Sequence, residues 1–187
     1  MKQVNFINIE NDRIKDIFLP VFERYDFPRK ATVALQGVDL KGSTMDARPA
    51  MTLRNFLAGV DTYRIRFSEF VRDSRQLKTT DLSDDILTGW FAHELGHIVD
   101  YMSRSATGMI TFGLKYSFSE SFRRKAEYRA DEIAIRQGFH EYILRTKEFL
   151  FYHEHIDQKY RDKLMRYYMS MEDTHALIEE VVTIDPV

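Results

Sequence analysis

Cysteine is absent from the 187-residue sequence. The chain therefore forms no disulfide bond and offers no thiolate to a metal ion. Because redox chemistry then gives no sign of the compartment, the cytoplasm is our default expectation. Charge of one sign is also lacking, since 27 basic and 29 acidic side chains give a net charge of −2. This balance argues against a nucleic-acid partner and against a polybasic membrane anchor.

Long apolar runs are missing as well. No stretch approaches the length of a transmembrane helix, so we expect no membrane partner. Residues 1–6 lack the apolar run of a secretory signal, which again favours the cytoplasm. Repeats and low-complexity segments are absent too. The composition, with 44% hydrophobic and 30% charged residues, predicts one globular domain over residues 1–187.

The segment His93-Glu94-Leu95-Gly96-His97 is the most informative part of the chain, and its surroundings predict a helix. Residues four apart lie on the same helix face, so His93 and His97 can point both imidazoles at one metal ion. Glu94 lies beside such a site, where its carboxylate can take a proton from a metal-activated water. We therefore predict a zinc site with Glu94 as the catalytic base.

The alternative is a helix that carries two histidines and binds no metal. Apolar residues on both sides of the motif, from Trp90 to Ala92 and at Ile98 and Val99, favour the metal site. Buried polar groups need partners, and a metal ion supplies one.

The third ligand decides the class of zinc site, because catalytic zinc usually has three protein ligands and one open position. A cysteine ligand is excluded, and the metzincin pattern fails because Asp100 and Ser103 occupy its glycine and third-ligand positions. Asp100 shares the face of the histidines but lies about 10 Å along the axis from His93. We therefore interpret Asp100 as a polar residue near the helix end.

A second charged segment, residues 125–134, supplies a better ligand. Glu127 and Asp131 are four apart and share a helix face. We predict that Glu127 joins His93 and His97 as the third ligand. Asp131, one turn further on, would accept the other ring N–H of a liganding histidine and fix its orientation. Taken alone, the two acids would be explained as the solvated face of a charge-rich helix.

Small residues predict that the two helices pack closely. Ala130 and Ala134 lie on the same side as the two acids, and Gly96 lies within the histidine motif. Helices with small side chains at their contact approach each other more closely. A glutamate on one helix can then reach two histidines on the other.

These two motifs together resemble those of the gluzincin zinc metallopeptidases. The chain is similar to the small minigluzincins and to the catalytic core of CAAX-prenyl-protease-type peptidases, over residues 60–138. The resemblance implies hydrolysis of a peptide or protein substrate by water, a zinc ion and a glutamate base. In this chain the corresponding positions are His93, His97 and Glu127 for zinc, Glu94 for the base and Asp131 for orientation.

Residues 61–68 alternate between apolar and polar side chains, which predicts a half-buried strand. In gluzincins an edge strand beside the metal pairs with extended substrate. The resemblance therefore implies an edge strand that binds substrate. The residues of this substrate strand are Tyr63, Arg64, Ile65, Arg66 and Phe67. A simpler interpretation is that its arginines protect an edge strand from aggregation.

Other segments give a coarse secondary structure. The N-terminal part predicts a helix at 12–25, with Asn11 as its N-cap and with Pro20 kinking or dividing it. A strand is predicted at 31–36 and a loop at 37–49. Residues 51–57 predict a strand or a helix, followed by a turn at 58–59. The motif helix should begin near Ser83 or Asp84 and end before Gly108. The glutamate helix should open with a capping box at 117–120 and close at Gly138.

Residues 104–116, between the two site helices, should line or cover the cleft. The C-terminal third predicts helices at 143–153, 160–169 and 173–182. We therefore predict an α+β fold. A small mixed sheet, with an edge strand before the zinc-binding helix, would pack against that helix, the glutamate helix and further C-terminal helices.

The predicted function is that of a zinc-dependent metallopeptidase. The oxyanion of the reaction would be stabilised by His140, His153, His155 or a tyrosine. The alternative is a non-catalytic, zinc-stabilised binding or regulatory domain. There a side chain such as His175 or Asp185 would close the fourth zinc position.

Overall fold

A computed structural model describes residues 2–28, 30–50, 60–74 and 77–184. Within these residues the predicted α+β fold is confirmed, since a small mixed sheet packs against a set of helices. The predicted element at 51–57, its turn at 58–59 and Asp185 lie outside the described residues. None of the described helices combines the length and the apolar character that a membrane crossing needs.

The elements follow one another in a simple order. The strands are β1 (Gln3–Ile7), β2 (Thr32–Gly37), β3 (Met45–Pro49) and β4 (Thr62–Phe67). The helices are α1 (Asp12–Arg24), α2 (Asp84–Met102), α3 (Ala106–Phe118), α4 (Glu120–Ala134), α5 (His140–Tyr152), α6 (Gln158–Tyr167) and α7 (Met171–Ile184). A 3-10 turn at Thr79–Asp81 precedes α2, and a π-helical turn at Ile135–Phe139 joins α4 to α5.

The sheet has the strand order β1-β2-β4-β3. β1 and β2 are parallel, as are β2 and β4, whereas β3 runs antiparallel to β4. Ile65 at the centre of β4 lies opposite Leu35 on one side and Ala47 on the other. All three side chains are buried, so the middle of the sheet belongs to the hydrophobic core.

The prediction that residues 63–67 form an edge strand is wrong, because β4 is paired on both sides. Its main-chain groups bond to β2 and β3 and cannot pair with a substrate. The segment 37–49, predicted to be a loop, supplies the missing neighbour as β3. The guanidinium of Arg66 donates to both carboxylate oxygens of Asp46 at 2.8 Å. The arginine therefore joins two strands rather than protecting an edge.

Helix α1 contacts both β1 and α2. The ring of Phe18 lies 6.2 Å from Phe6 of β1 and 5.2 Å from Phe91 of α2. Burial of an aromatic ring contributes about 1.5–3 kcal/mol to the free energy of unfolding. Asn11 caps the helix as predicted, since its side chain accepts from the backbone N of Arg13 at 3.0 Å. The helix continues through Pro20 without division.

Helix α2 is the centre of the helical half and contacts both α4 and α5. Ser83 caps it as predicted. A Cβ at Gly96 would come 2.4 Å from the carbonyl oxygen of Ala130, and one at Gly89 would come 2.2 Å from that of Tyr142. Only glycine permits these approaches, because Cβ contacts this short do not occur in folded proteins. The predicted close packing at Gly96 is therefore confirmed.

The corner between α3 and α4 differs from the predicted capping box. Ser119, not Ser117, caps α4, and its hydroxyl accepts from the backbone N of Phe122 at 3.3 Å. Its own backbone N donates to Lys115 and so also ends α3. Ser117 lies inside α3 and donates to Gly113. The reason is that residues 106–118, expected only to line or cover the cleft, are a helix that must end before α4 begins.

Candidate metal centre

His93 and His97 lie one turn apart on α2, and Glu127 of α4 lies opposite both. The Nε2 atoms of His93 and His97 are 3.1 Å and 3.3 Å from Oε2 of Glu127. One ligand atom from each residue lies within 4.8 Å of the other two. All three residues are buried. This His-His-Glu cluster can hold a metal ion, and it is the set predicted from the sequence.

The helix packing explains how a glutamate reaches two histidines. Gly96 lies between the two histidines in sequence and touches the backbone of Ala130 on α4. This contact brings the helices so close that Glu127, one turn before Ala130, reaches both rings. Imidazole nitrogens with a carboxylate oxygen form a donor set suited to first-row divalent metal ions, zinc among them. The residues present therefore fit a metal site.

Asp131 holds the other nitrogen of His93. Its Oδ1 lies 2.8 Å from Nδ1 of His93, the contact expected for a carboxylate that orients a ligand. Its Oδ2 forms an ion pair with Nζ of Lys147 at 2.8 Å, and that amine donates to the carbonyl of Met169 at 2.9 Å. Burial raises the pKa of Asp131, but the charges of Lys147 and His93 outweigh it and hold the pKa below its ordinary value. Asp131 is therefore ionised.

Lys147 is the site residue that the sequence analysis missed. It is only 4% exposed, although lysine is almost never buried without a partner. A signal for it exists in the sequence. Ile143, Leu150 and Phe151 are four before, three after and four after it, so helical spacing places Lys147 on the apolar, buried face of α5. A lysine on such a face requires a buried anion.

The charges of His93 and Glu127 stabilise each other in this cluster. Burial lowers the pKa of His93, but the carboxylates of Asp131 and Glu127 reverse this and raise it to about 10. Burial raises the pKa of Glu127, but the two imidazoles hold it well below its ordinary value. Positive charge on His93 therefore compensates the buried carboxylates. A bound metal ion would supply that positive charge instead.

Glu94 lies beside the cluster without belonging to the three-ligand group. It is buried, and its Oε2 has no hydrogen-bond partner among the described residues. Burial raises the pKa of Glu94 to about 7, although His93 and His97 act in the opposite direction. A carboxyl group with a pKa near neutrality can both take up and return a proton. These are the properties required of the predicted base.

Three tyrosines surround the cluster. The hydroxyl of Tyr116 donates to Oε1 of Glu127. The rings of Tyr168 and Tyr101 lie 5.5 Å from His93 and 5.9 Å from His97. Burial and the charge of Glu127 raise the pKa of Tyr116, so its hydroxyl stays protonated and available as a donor. Of the predicted oxyanion candidates, tyrosine is therefore the type present at the cluster.

The other candidate residues have local contacts. The imidazole of His140 lies 3.9 Å from Glu141, and the ring of His153 lies 4.7 Å from Phe149 and 5.3 Å from His155. Asp100 accepts two hydrogen bonds from Arg104, as expected for a residue that is not a ligand. His175 is exposed on α7.

The structure thus brings together the three predicted ligands, Glu94 and Asp131. It does not bring in residues 63–67 as a free strand, because β4 is paired on both sides. No protein-family model, curated protein or solved structure matches the chain.

Proposed function

We propose that the protein is a zinc-dependent metallopeptidase of the gluzincin type, acting on peptides or proteins. The observation that supports it is the convergence of three donor atoms on one point, with a buried carboxyl group next to them in sequence. Oε2 of Glu127 lies within 3.3 Å of Nε2 of both histidines, and Oε2 of Glu94 has no partner among the described residues. A metal site that only stabilises the fold would not need Glu94.

The roles follow from the positions. His93, His97 and Glu127 would hold zinc, which when bound polarises a carbonyl group and lowers the pKa of water. Glu94 accepts the proton of the attacking water and returns it to the leaving amine. Asp131 fixes the ring of His93, and the donor to the oxyanion would be a tyrosine of the cluster other than Tyr116, whose hydroxyl already donates to Glu127.

The strand proposed to bind substrate is now β3 and no longer β4. Among the described residues, β3 has a strand on one side only, and an extended peptide would pair with its other edge by replacing the Tyr101 hydroxyl at the outward-facing carbonyl of Ala47. Tyr101 of α2 donates to the carbonyl of Ala47, which ties β3 to the helix of the two histidines. An extended substrate paired with β3 would therefore run beside α2.

The test compares Glu94→Gln with wild type. Purified wild type should contain about one zinc per chain, and Glu94→Gln should keep it, because Glu94 is not a ligand. Its cleavage of an unstructured peptide mixture should fall at least about a hundredfold, the low end for loss of a general base. Elemental analysis and mass spectrometry give the two readouts.

The control is His97→Ala, which should lose both zinc and cleavage. Retention of full zinc by His97→Ala would refute the ligand assignment. Equal cleavage by wild type and Glu94→Gln would show that another base, or a contaminating enzyme, is at work.

The burial of the cluster favours a second candidate, a non-catalytic zinc-stabilised domain. His93, His97 and Glu127 are at most 5% exposed, and the hydroxyl of Tyr116 occupies one oxygen of Glu127. In that case neither wild type nor Glu94→Gln would cleave peptides. Removal of zinc would still lower the thermal stability, because a ligand bound only by the folded state stabilises it.

A further inference from the structure

A basic hollow of about 410 Å³ lies between α6 and the beginning of α4. Its charged lining has four cations and two anions. The cations are Arg123, Lys159, Lys163 and Arg166, and the anions are Asp73 and Asp162. Asp73 pairs with Arg72 at 3.0 Å, Asp162 accepts from the neutral Gln158 at 2.8 Å, and of the cations Arg166 pairs with Glu120 at 3.3 Å. The hollow therefore has an excess of positive charge.

Arg123 is held in place by uncharged groups. Its Nε donates to the carbonyl of Tyr116 at 3.0 Å, and its Nη2 donates to that of Ser117 at 3.2 Å. The guanidinium also lies 5.3 Å from the ring of Tyr116 and 4.7 Å from that of Tyr167. Among the described residues, no carboxylate lies within 4.0 Å of it. Arg123 is thus oriented, but its charge is not neutralised.

Lys163 faces the same hollow. Its amine donates to the carbonyl of Gly42 at 3.1 Å, and in the described part of the chain it has no ion pair. Burial lowers the pKa of Lys163, and the charges of Arg72 and Arg123 lower it further, against the opposite effect of Asp73 and Glu127. The amine therefore lies among positive charges, and an anion entering the hollow would relieve their mutual repulsion.

One side chain connects this hollow to the candidate metal centre. Tyr116 stacks on Arg123 and donates its hydroxyl to Glu127. The charge of Glu127 also reaches Lys163. The hollow and the candidate metal centre therefore have Tyr116 as a common neighbour.

We propose that the basic hollow binds a carboxylate of the substrate, so that the site selects acidic peptides. The carboxylate belongs either to an aspartate or glutamate side chain or to a free C-terminus. The link to cleavage rests on the proposed function, whereas the binding of an anion does not. Arginine held by carbonyls and rings is well suited to carboxylate recognition, because its remaining N–H groups can donate to both oxygens.

The test measures binding without cleavage. Zinc-loaded Glu94→Gln protein is titrated against four short fluorescent peptides, with glutamate or glutamine at one position and a free or amidated C-terminus. We expect about tenfold tighter binding of the peptide with the recognised carboxylate, the size of one charge-assisted hydrogen bond. The preference should shrink as salt is added. A preference for glutamate over glutamine identifies a side-chain carboxylate as the bound group, and a preference for the free over the amidated peptide identifies the C-terminus.

Two variants, Lys163→Gln and Arg123→Gln, should abolish most of the preference. Arg123→Lys should retain part of it, which separates loss of charge from disturbance of the corner that Arg123 holds. Lys125→Gln, an exposed lysine of α4 outside the hollow, is the matched control and should bind like its parent.

Equal binding of all four peptides, or a preference unchanged in both Lys163→Gln and Arg123→Gln, would overturn the proposal. A wild-type protein that binds acidic peptides but cleaves none would instead refute the peptidase and leave the anion site standing.

Discussion

The two sides of α2 are built from different chemistry. On one side, Phe91 packs against Phe18 of α1, and Leu95 and Ile98 are fully buried with it in the hydrophobic core. On the other side, His93 and His97 meet the carboxylates of α4. The first side is held by apolar burial, which does not depend on protonation. The second is held by charges, whose energy depends on pH and on any bound ion.

The difference between the two sides shows which part of α2 requires an explanation other than stability. On the apolar side of α2, burial contributes about 25 cal/mol to the free energy of unfolding for each Å² of apolar surface removed from water. Buried ion pairs add little net stability, because the cost of removing charges from water offsets their attraction. Net stability from ion pairs alone therefore does not account for the polar side of α2. The three predictions below separate the two sides, beginning with the largest effect.

The largest effect is expected from Lys147→Met. This change removes one of the two cations beside the buried carboxylate of Asp131 and leaves His93 as the other, and we expect the free energy of unfolding to fall by about 3–5 kcal/mol. In wild type the pKa of Asp131 lies below its ordinary value of 3.8, so ionised Asp131 stabilises the protein above that pH. In the variant the pKa of Asp131 is higher than in wild type, because His93 alone then opposes the effect of burial, so the loss of stability relative to wild type should shrink as the pH falls.

Denaturant titration over a range of pH measures this. The matched variant on the apolar side is Phe91→Ala, which should cost a similar 3–5 kcal/mol, roughly, by leaving a cavity. Its loss should not change with pH relative to wild type. If the loss in Lys147→Met were equally independent of pH, the proposed difference between the two sides would be wrong.

An intermediate effect is expected from Gly96→Ala. The added Cβ would come 2.4 Å from the carbonyl oxygen of Ala130, so α2 and α4 must separate. We expect a loss of about 1–3 kcal/mol, as for other overpacked interiors, together with weaker zinc binding because Glu127 moves with α4. Thermal unfolding with and without zinc provides both readouts.

The control for Gly96→Ala is Gly113→Ala. Gly113 lies inside α3, where an added Cβ meets nothing within 4 Å. Alanine is the better helix former by about 1 kcal/mol, so this variant should be as stable as wild type or more so. A Gly96→Ala protein that behaved like Gly113→Ala would show that the two helices are not in close contact.

The smallest effect, counted per pH unit, is the pH dependence of metal affinity, at about 1.4 kcal/mol for each unit. His93, with a pKa raised to about 10, carries a proton at neutral pH that must leave when a metal binds. Affinity should therefore rise about tenfold for each pH unit and level off once His93 is neutral. Ionisation of Glu94 near pH 7 acts in the same direction. Competition with a chromophoric chelator measures the affinity.

Asp131→Asn is the informative comparison for this titration. Removal of that carboxylate lowers the pKa of His93, so the affinity should level off at a lower pH than in wild type. An affinity that is flat between neutral pH and pH 10 in wild type would mean that no proton is displaced from His93.

The site could be predicted further than the sheet, because its signals are local. The spacing of His93 and His97 on one helix face, and of Glu127 and Asp131 on another, is determined by helix geometry alone. The capping residues Asn11 and Ser83 are local signals too. Which helix faces which is a tertiary property, and the small residues Gly96 and Ala130 were its only sign in the sequence.

The position of β4 within the sheet could not be predicted for the opposite reason. The sequence Met45-Asp46-Ala47-Arg48-Pro49 has weak strand propensity and ends in proline. It becomes β3 because β4 offers an unpaired edge and Asp46 meets Arg66 across it. Whether a strand is central or at an edge depends on its neighbours. A pattern within the strand itself does not contain that information.

The corner at Ser119 fixes the number of residues between α3 and α4 as well as their types. This one residue ends α3 and begins α4, and it is all that separates the helix of Tyr116 from the helix of Glu127. Each inserted helical residue would turn a side chain by about 100° around its axis. One insertion or deletion here would take the hydroxyl of Tyr116 away from Glu127. Substitutions at the exposed positions of this corner are thus far easier to accommodate than any change in the number of residues.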